Sequence, residues 1–296
     1  MNILLLGKGY IGTAINQELQ RTGNHHVNWV SKSDTSYDDA KTFERMICNV
    51  YYQKSYDVVI NASGYTGRPN VDACETAVDD TWYYNVTVPG MLADTCTAHG
   101  VHLIHISSGC IYDGYEKEFE EHDEPNFGLC SSVSSWYSKT KHAGELAVKG
   151  TNTTVLRIRM PFCETTSERN VLMKLLKYDN IINQRNSMTN VEDLAEFVTT
   201  LLARGLSWRG DVFNVVNPQP VSTAMIINTL KAAGIANPNW KYIDIGQLSQ
   251  HTRVARSNCV LSTNRINRHG MPLPVTLTSL QRCVNSIKHE MDKETV

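Results

Sequence analysis

Three observations predict an α/β fold, a doubly wound parallel sheet followed by a smaller lobe. Short apolar runs alternate with helical patterns through the first 160 residues. The runs are continuous rather than alternating, as in strands buried on both faces. The first of them, Asn2–Leu6, leads straight into Gly7-Lys8-Gly9-Tyr10-Ile11-Gly12, and a helical pattern over 11–21 follows. A GxGxxG alone is a weak signal; between a strand and a helix it is the phosphate turn of a Rossmann-type domain.

The remaining elements follow in order. Val27–Val30 reads as a second strand, 37–50 as a helix, Tyr56–Asn61 as a strand and 71–100 as largely helical. The stretch 101–107 (VHLIHIS) is a strand, 137–149 a helix, and 153–159 (TTVLRIR) a strand. This places a dinucleotide-binding Rossmann domain at 1–160. Residues 161–296 form mainly a substrate-binding α/β lobe, from which some segments return to the first domain. In that part 190–204 is helical with Gly205 as its C-cap. The stretch 212–216 is a short strand, while 222–233 and 277–292 are helices. Pro218 with Pro220, and Pro272 with Pro274, mark turns. The site is expected in the crevice at the carboxyl ends of the strands.

Composition bounds the function. The chain has 296 residues, 41% hydrophobic and 20% charged, with a formal net charge of -2. That is an ordinary globular balance and argues against a basic nucleic-acid binder. No apolar run reaches the roughly 18 residues of a membrane span. MNILLLGKGYIG has neither a basic leader nor a cleavage site and reads as a strand, not a signal core. The eight cysteines include no CxxC pair. Reduced thiols in the cytoplasm and no metal site are the expectation.

The glycines divide the work of the turn. Gly7 permits the tight bend, Gly9 lets the backbone at Tyr10 and Ile11 approach a pyrophosphate, and Gly12 lets helix and strand pack closely. The second strand ends in Ser31-Lys32, with no carboxylate before Asp34. A hydroxyl and a cation suit a 2′-phosphate, so NADPH is the expected cofactor. Tyr137-Ser-Lys-Thr-Lys141 puts a phenol and an ammonium four residues apart on one helix face. There the cation can lower the phenol's pKa and ready it for proton transfer. Ser108, at a strand end, can hydrogen-bond a substrate carbonyl. Asn61-Ala62-Ser63-Gly64, Ser108 and the YxxxK stand in the order of a short-chain dehydrogenase.

Further stretches sharpen this. They are Tyr65-Thr-Gly-Arg-Pro-Asn-Val-Asp72, Ser108-Gly-Cys-Ile111, Pro125-Asn-Phe127, Trp136 through Lys141, Leu156-Arg-Ile-Arg-Met-Pro161, Asn186-Ser-Met-Thr189 and Arg256-Ser-Asn258. With them the chain resembles, over nearly its whole length, the extended short-chain dehydrogenase/reductases that finish deoxysugar nucleotides. It resembles in particular the plant-type nucleotide-rhamnose synthases, which combine epimerase and reductase. One departure is the glycine turn, since many extended members have the longer GxxGxxG.

The resemblance implies inversion of UDP-4-keto-6-deoxy-D-glucose at carbons 3 and 5, then reduction at carbon 4 by NADPH, giving UDP-L-rhamnose. It implies Cys110 and Lys174 as the epimerase pair, with Ser108, Tyr137 and Lys141 as the reductase set. It places Asn61, Ala62, Ser63, Tyr65, Asn85, Tyr137, Lys141 and Met160 with the cofactor, and Thr66, Arg68, Ser108 and Arg256 with the substrate. Arg68 and Arg256 could equally be lobe-to-lobe salt-bridge arginines. A separate 4,6-dehydratase would supply the nucleotide sugar, and a homodimer is the expected assembly. The alternatives are a dTDP-4-dehydrorhamnose reductase without epimerase activity, a fucose-forming relative, and a catalytically silent NADP-binding regulatory subunit. Fold does not choose among them. The intact Ser, Tyr and Lys set argues for catalysis.

Overall fold

The computed structural model describes residues 1–48, 55–248 and 250–294. The N-terminal part begins with β1 (Asn2–Leu6), α1 (Tyr10–Thr22), β2 (His26–Val30), α2 (Ala40–Ile47) and β3 (Val58–Asn61). There follow α3 (Val78–Trp82), α4 (Val88–Ala98), β4 (His102–Ser108), β5 (Gly114–Phe119), α5 (Trp136–Ala147) and β6 (Thr153–Ile158). Next come α6 (Val171–Lys177), β7 (Asn180–Ile182), β8 (Arg185–Met188), α7 (Val191–Ala203), β9 (Val212–Asn214) and β10 (Asn217–Ser222). The chain closes with α8 (Thr223–Ala232), β11 (Lys241–Ile243), α9 (Ile245–Leu248), β12 (Cys259–Leu261), α10 (Asn264–Arg268) and α11 (Thr276–Glu294).

The central sheet is parallel throughout and runs β2-β1-β3-β4-β6-β9. From β1 the chain steps out to β2, then returns to the other side of β1 as β3. The winding therefore reverses at the carboxyl ends of β1 and β3, where an open α/β sheet leaves its crevice. Side chains alternate across the sheet. Ile3, Leu5, Val58, Ile60 and Leu156 pack with Ile15 and Leu19 of α1 and Val198 of α7. Leu4, Leu6, Val59 and Leu103 pack on the other face with Phe43 of α2 and Leu92 of α4. Both faces are covered, which is why the strand segments read as unbroken apolar runs.

The C-terminal segments serve two cores. Helix α7 packs against α1, strand β9 extends the central sheet, and Ile266 of α10 joins the core on that face. Leu172 of α6, Leu230 of α8 and Leu280, Val284 and Ile287 of α11 form a separate cluster with Phe162 and Met188. The smaller pairs are β10 with β8, β11 with β7 and β12 with β5.

Several boundaries differ from the sequence reading. The helix expected over 37–50 is Ala40–Ile47, entered through Asp39, whose side chain accepts from Thr42 N; Val50 lies outside the described residues. The strand expected from Tyr56 starts at Val58. The segment 71–100 opens with a 3-10 turn over Val71–Glu75, and α3 and α4 are joined by a π-helical turn at Tyr83–Thr87. Pro218 and Pro220 lie within strand β10 rather than forming a turn. Prolines cannot donate to a ladder, and here the register with β8 shifts between Asn217 and Val221, with Gln219 at φ 62. Gly205 follows α7 at φ 89, the left-handed conformation of a helix stop. No helix among the described residues is long and apolar enough to cross a membrane.

Candidate active site

The glycine turn crosses the carboxyl ends of β1 and β3. Gly7 has φ 102, and a Cβ there would meet the Ala62–Ser63 backbone at 3.1 Å. A Cβ on Gly12 would fall 1.9 Å from the Gly7 carbonyl oxygen, whereas one on Gly9 meets nothing within 4 Å. Two glycines are thus needed for packing and one borders open space. Helix α1 starts at Gly9 with no side-chain cap and no acidic residue in its first turn. Amides at the N-terminus of such a helix suit a phosphate, and those of Tyr10 and Ile11 stand in its first turn. The cradle fits a dinucleotide pyrophosphate. The phenol of Tyr10 turns away into the protein, where its Oη is buried beside Cys163.

Beyond β2, Lys32 Nζ lies 3.1 Å from Asp38 and 4.4 Å from the Tyr84 ring centroid. Ser31 gives its N–H and hydroxyl to Asp34, which also pairs with Lys8 at 2.9 Å. The hydroxyl of Ser31 and the cation of Lys32 thus both engage aspartates.

Asn61 ends β3 fully buried. Its Oδ1 accepts from Ser63 N at 3.0 Å and Ser63 Oγ at 2.6 Å, and its Nδ2 lies 3.2 Å from His105 Nδ1. Asn85, in the π-turn, accepts from Tyr65 N at 2.8 Å and donates to Tyr65 O and Thr140 Oγ1. A Cβ on Gly144 of α5 would stand 2.1 Å from Asn85 O. Asn85 therefore locks the loop after β3 to the helix that carries Tyr137 and Lys141.

Ser108 is the last residue of β4, and the N-cap Ser135 starts α5 by accepting from Ser138 N. Burial raises the Tyr137 phenol's pKa; a hydrogen bond with Ser108 and the charge of Arg169 pull the other way. Lys141 is buried, donates to Ile106 O at 3.2 Å, and its ammonium is lowered to about 8 by burial. In this structure the ammonium of Lys141 bonds the Ile106 carbonyl, and the charge drawing the Tyr137 phenol downward is that of Arg169. His105 nearby is held well below its usual range by burial and by Lys141.

Cys110 and Tyr137 line one cavity of about 590 Å³, together with Asn70, Met160, Val171 and Arg256. That volume suits a small organic ligand. Met160, at φ 40, is a non-glycine residue in the left-handed region, right after β6. Lys174 is not among the residues lining the cavity; Val171, three residues earlier on the same face of α6, is. Burial and the neighbouring Arg169 lower the Lys174 ammonium's pKa. Thr66 is tied by its hydroxyl to Arg169, which also donates to Gly67 O. Arg68 is exposed and is not among the residues lining the cavity. Arg256 makes a bidentate pair with Asp72 at 2.8 and 2.9 Å. This is the bridge between segments left open by the sequence, at the edge of the cavity.

Residues not singled out beforehand hold the site together. Arg157 and Glu145 form a buried bidentate pair that also takes in Tyr112 and Ser107. Arg159 reaches Ser257, Asn186 and Cys110. The legible signal was two arginines inside the apolar strand TTVLRIR, since a buried charge needs partners.

A model described as the RmlD substrate binding domain matches residues 1–288. The bifunctional dTDP-4-dehydrorhamnose 3,5-epimerase/dTDP-4-dehydrorhamnose reductase of Arabidopsis thaliana is 33% identical over 70% of this chain and 69% of its own. The chain belongs to the RmlD family. That makes it an enzyme of the nicotinamide-dependent sugar-nucleotide reductase type. A trifunctional UDP-glucose 4,6-dehydratase/UDP-4-keto-6-deoxy-D-glucose 3,5-epimerase/UDP-4-keto-L-rhamnose-reductase of the same plant is 32% identical over 71% of this chain. The match spans about a third (32%) of that relative's length. Among solved structures, a UDP-rhamnose synthase from Acanthamoeba polyphaga mimivirus superposes with a TM-score of 0.84 at 27% identity, covering 97% of this chain and 99% of the other. A dTDP-4-dehydrorhamnose reductase from Bacillus anthracis in complex with NADP has the same fold, with a TM-score of 0.77 at 17% identity over 98% and 99% of the two chains.

Proposed function

We propose that this RmlD-family chain converts UDP-4-keto-6-deoxy-D-glucose to UDP-L-rhamnose, inverting carbons 3 and 5 and then reducing the 4-keto group with NADPH. The observation that carries the reading is that Cys110 and Tyr137 line one cavity. A thiol beside the reductase phenol has no use in a plain ketone reduction. It has one where hydrogens acidified by a neighbouring ketone must be removed. The names of the plant and mimivirus relatives support the same chemistry.

The chain's own groups supply the acid and base steps. Ser108 donates a hydrogen bond to the 4-keto oxygen and polarises it. Cys110 takes a proton from carbon 3 or 5 on one face, and Lys174 returns one on the other. In the reductive half Tyr137 gives its proton to the oxygen at carbon 4 as that oxygen becomes an alkoxide, and Lys141 steadies the charge. The glycine turn would hold NADPH, which supplies a hydride when bound, and Ser31 and Lys32 would hold its 2′-phosphate; in this structure both residues engage aspartates, Asp34 and Asp38. Arg256 and Thr66 face the nucleotide sugar. Arg68, exposed and off the cavity, reaches it only if its loop closes. A separate 4,6-dehydratase, a homodimer and a cytoplasmic location belong to the same proposal.

The test is turnover of UDP-4-keto-6-deoxy-D-glucose and NADPH in heavy water, read by NMR. The expected product is UDP-L-rhamnose with deuterium at carbons 3 and 5. A reduced sugar without deuterium would leave a simple reductase, the reading favoured by a 29%-identical dTDP-4-dehydrorhamnose reductase from Mycobacterium tuberculosis. Bound NADPH without turnover would point to a regulatory subunit.

A further inference from the structure

Arg157 within β6 and Arg159 just past its end, two residues apart, are treated differently. Arg157 is buried against Glu145 and makes three charge-assisted hydrogen bonds to it. Arg159 is more deeply buried, at 1% exposure, yet none of its hydrogen-bond partners is a carboxylate. Its Nη1 donates to Ser257 Oγ at 2.8 Å and Gly109 O at 3.4 Å, and its Nη2 to Asn186 Oδ1 at 2.6 Å and Ser257 O at 2.7 Å. The buried Nε has no partner. The remaining contact is Nη1 to Cys110 Sγ at 3.7 Å, within reach of a sulfur acceptor. A guanidinium in a dry interior is costly unless a negative charge answers it. The facing group that opens onto the cavity and can become negative is the Cys110 thiol.

The neighbourhood is made for this contact. Asn186, Ser257 and Asn258 come from two distant segments, and Asn186 Nδ2 donates to Asn258 Oδ1 at 3.0 Å. Asn186 Oδ1 also accepts from Cys259 N at 3.0 Å. The other titratable groups that act on Cys110 or Arg159 are Tyr137 and Lys141 on α5, Cys259 on β12, Tyr115 on β5 and Asp113 just before it. Of these, Asp113 accepts from Asn258 N and Lys141 donates to Ile106 O. Burial raises the Cys259 thiol to about 11 and keeps it neutral.

We propose that Arg159 is the positioning residue of the epimerase half-reaction, holding the sulfur of Cys110 toward the sugar and stabilising it as a thiolate. The inference rests on the epimerase reading above. In the step it serves, the bond from hydrogen to carbon 3 or 5 breaks and the proton goes to sulfur. The electron pair moves to the 4-keto oxygen as an enolate. The Lys174 ammonium then gives a proton to the opposite face of the same carbon. The resulting thiol and amine exchange protons with water to reset the pair.

The experiment is the rate of Cys110 alkylation by iodoacetamide at neutral pH, followed by peptide mass spectrometry so that the exposed Cys130 is measured separately. In the unaltered protein Cys110 is expected to react at least tenfold faster than Cys130. Arg159→Gln should slow Cys110 roughly tenfold or more, and Arg159→Lys should recover part of the loss. Deuterium wash-in should fall at least tenfold more than reduction of an already epimerised substrate. A wild-type Cys110 that reacts no faster than Cys130 overturns the proposal, even if the glutamine variant fails to fold. So does an unchanged rate in a folded Arg159→Gln protein. Fast alkylation without deuterium wash-in retires the epimerase reading while leaving the contact between the two residues standing.

Discussion

Arg256 closes on Asp72 through two parallel hydrogen bonds of 2.8 and 2.9 Å, across 184 residues of chain. Asp72 sits in the 3-10 turn capped by Asn70, and Asn70, Val71 and Arg256 all line the cavity. The pair therefore sets the position of one cavity wall. Asp72→Asn should lower Tm by about 2–4 °C at neutral pH, the effect of about 1 kcal/mol in a chain this large. It should also raise KM for the nucleotide sugar. Arg256 holds the Asp72 carboxyl below its ordinary range. The stabilisation is thus present above about pH 4 and is lost as pH falls through the lowered folded value. Melting curves of both proteins should converge in acid; a constant gap down to the lowest pH would contradict the assignment.

The glycine turn separates packing from binding. Gly12→Ala puts a methyl 1.9 Å from the Gly7 carbonyl, so the turn must open and the protein should be destabilised. Gly9→Ala meets nothing within 4 Å and should fold with nearly unchanged Tm. It should nevertheless bind NADPH at least tenfold more weakly by calorimetry, because the open space is where the pyrophosphate approaches. Unchanged affinity in Gly9→Ala would move the phosphates elsewhere.

Tyr137→Phe and Cys110→Ser should split the two half-reactions. Loss of the phenol removes the proton donor and should cut NADPH oxidation by roughly 10²–10⁴-fold while deuterium still enters the keto sugar. Loss of the thiol should do the reverse, sparing reduction of an already epimerised substrate. Parallel loss of both activities in each variant would mean that one residue set serves both steps.

Lys141 carries a pH signature. Burial lowers its ammonium to about 8, below the unfolded value of about 10.4. Between these values the unfolded chain binds more protons, so this group's contribution to stability rises with pH and is unfavourable below about 8. Lys141→Met should therefore raise Tm at pH 7 by several degrees while abolishing reduction, and the gain should shrink toward pH 10. A variant less stable than the parent at pH 7 would show that the bond to Ile106 O outweighs the burial.

Much of the site could be read along the chain because it is local. A glycine turn between a strand and a helix, a serine at a strand end and YxxxK at a helix start each depend on neighbours a few residues away. The prolines of β10 misled for the opposite reason, since their place in a strand depends on the edge position of that strand against β8. Likewise Tyr10 sits in the phosphate motif, but its phenol answers to the distant surroundings of Cys163 and Glu192.

The sequence determined the sheet, the glycine turn and the placing of Tyr137 and Lys141 on one helix face, because backbone conformation and helix-face spacing are short-range properties. Tertiary structure decided which charges meet. It paired Arg256 with Asp72, gave Arg157 to Glu145, and left Arg159 facing Cys110. Whether a buried charge is neutralised depends on groups brought together from far along the chain, and only the packed fold supplies them.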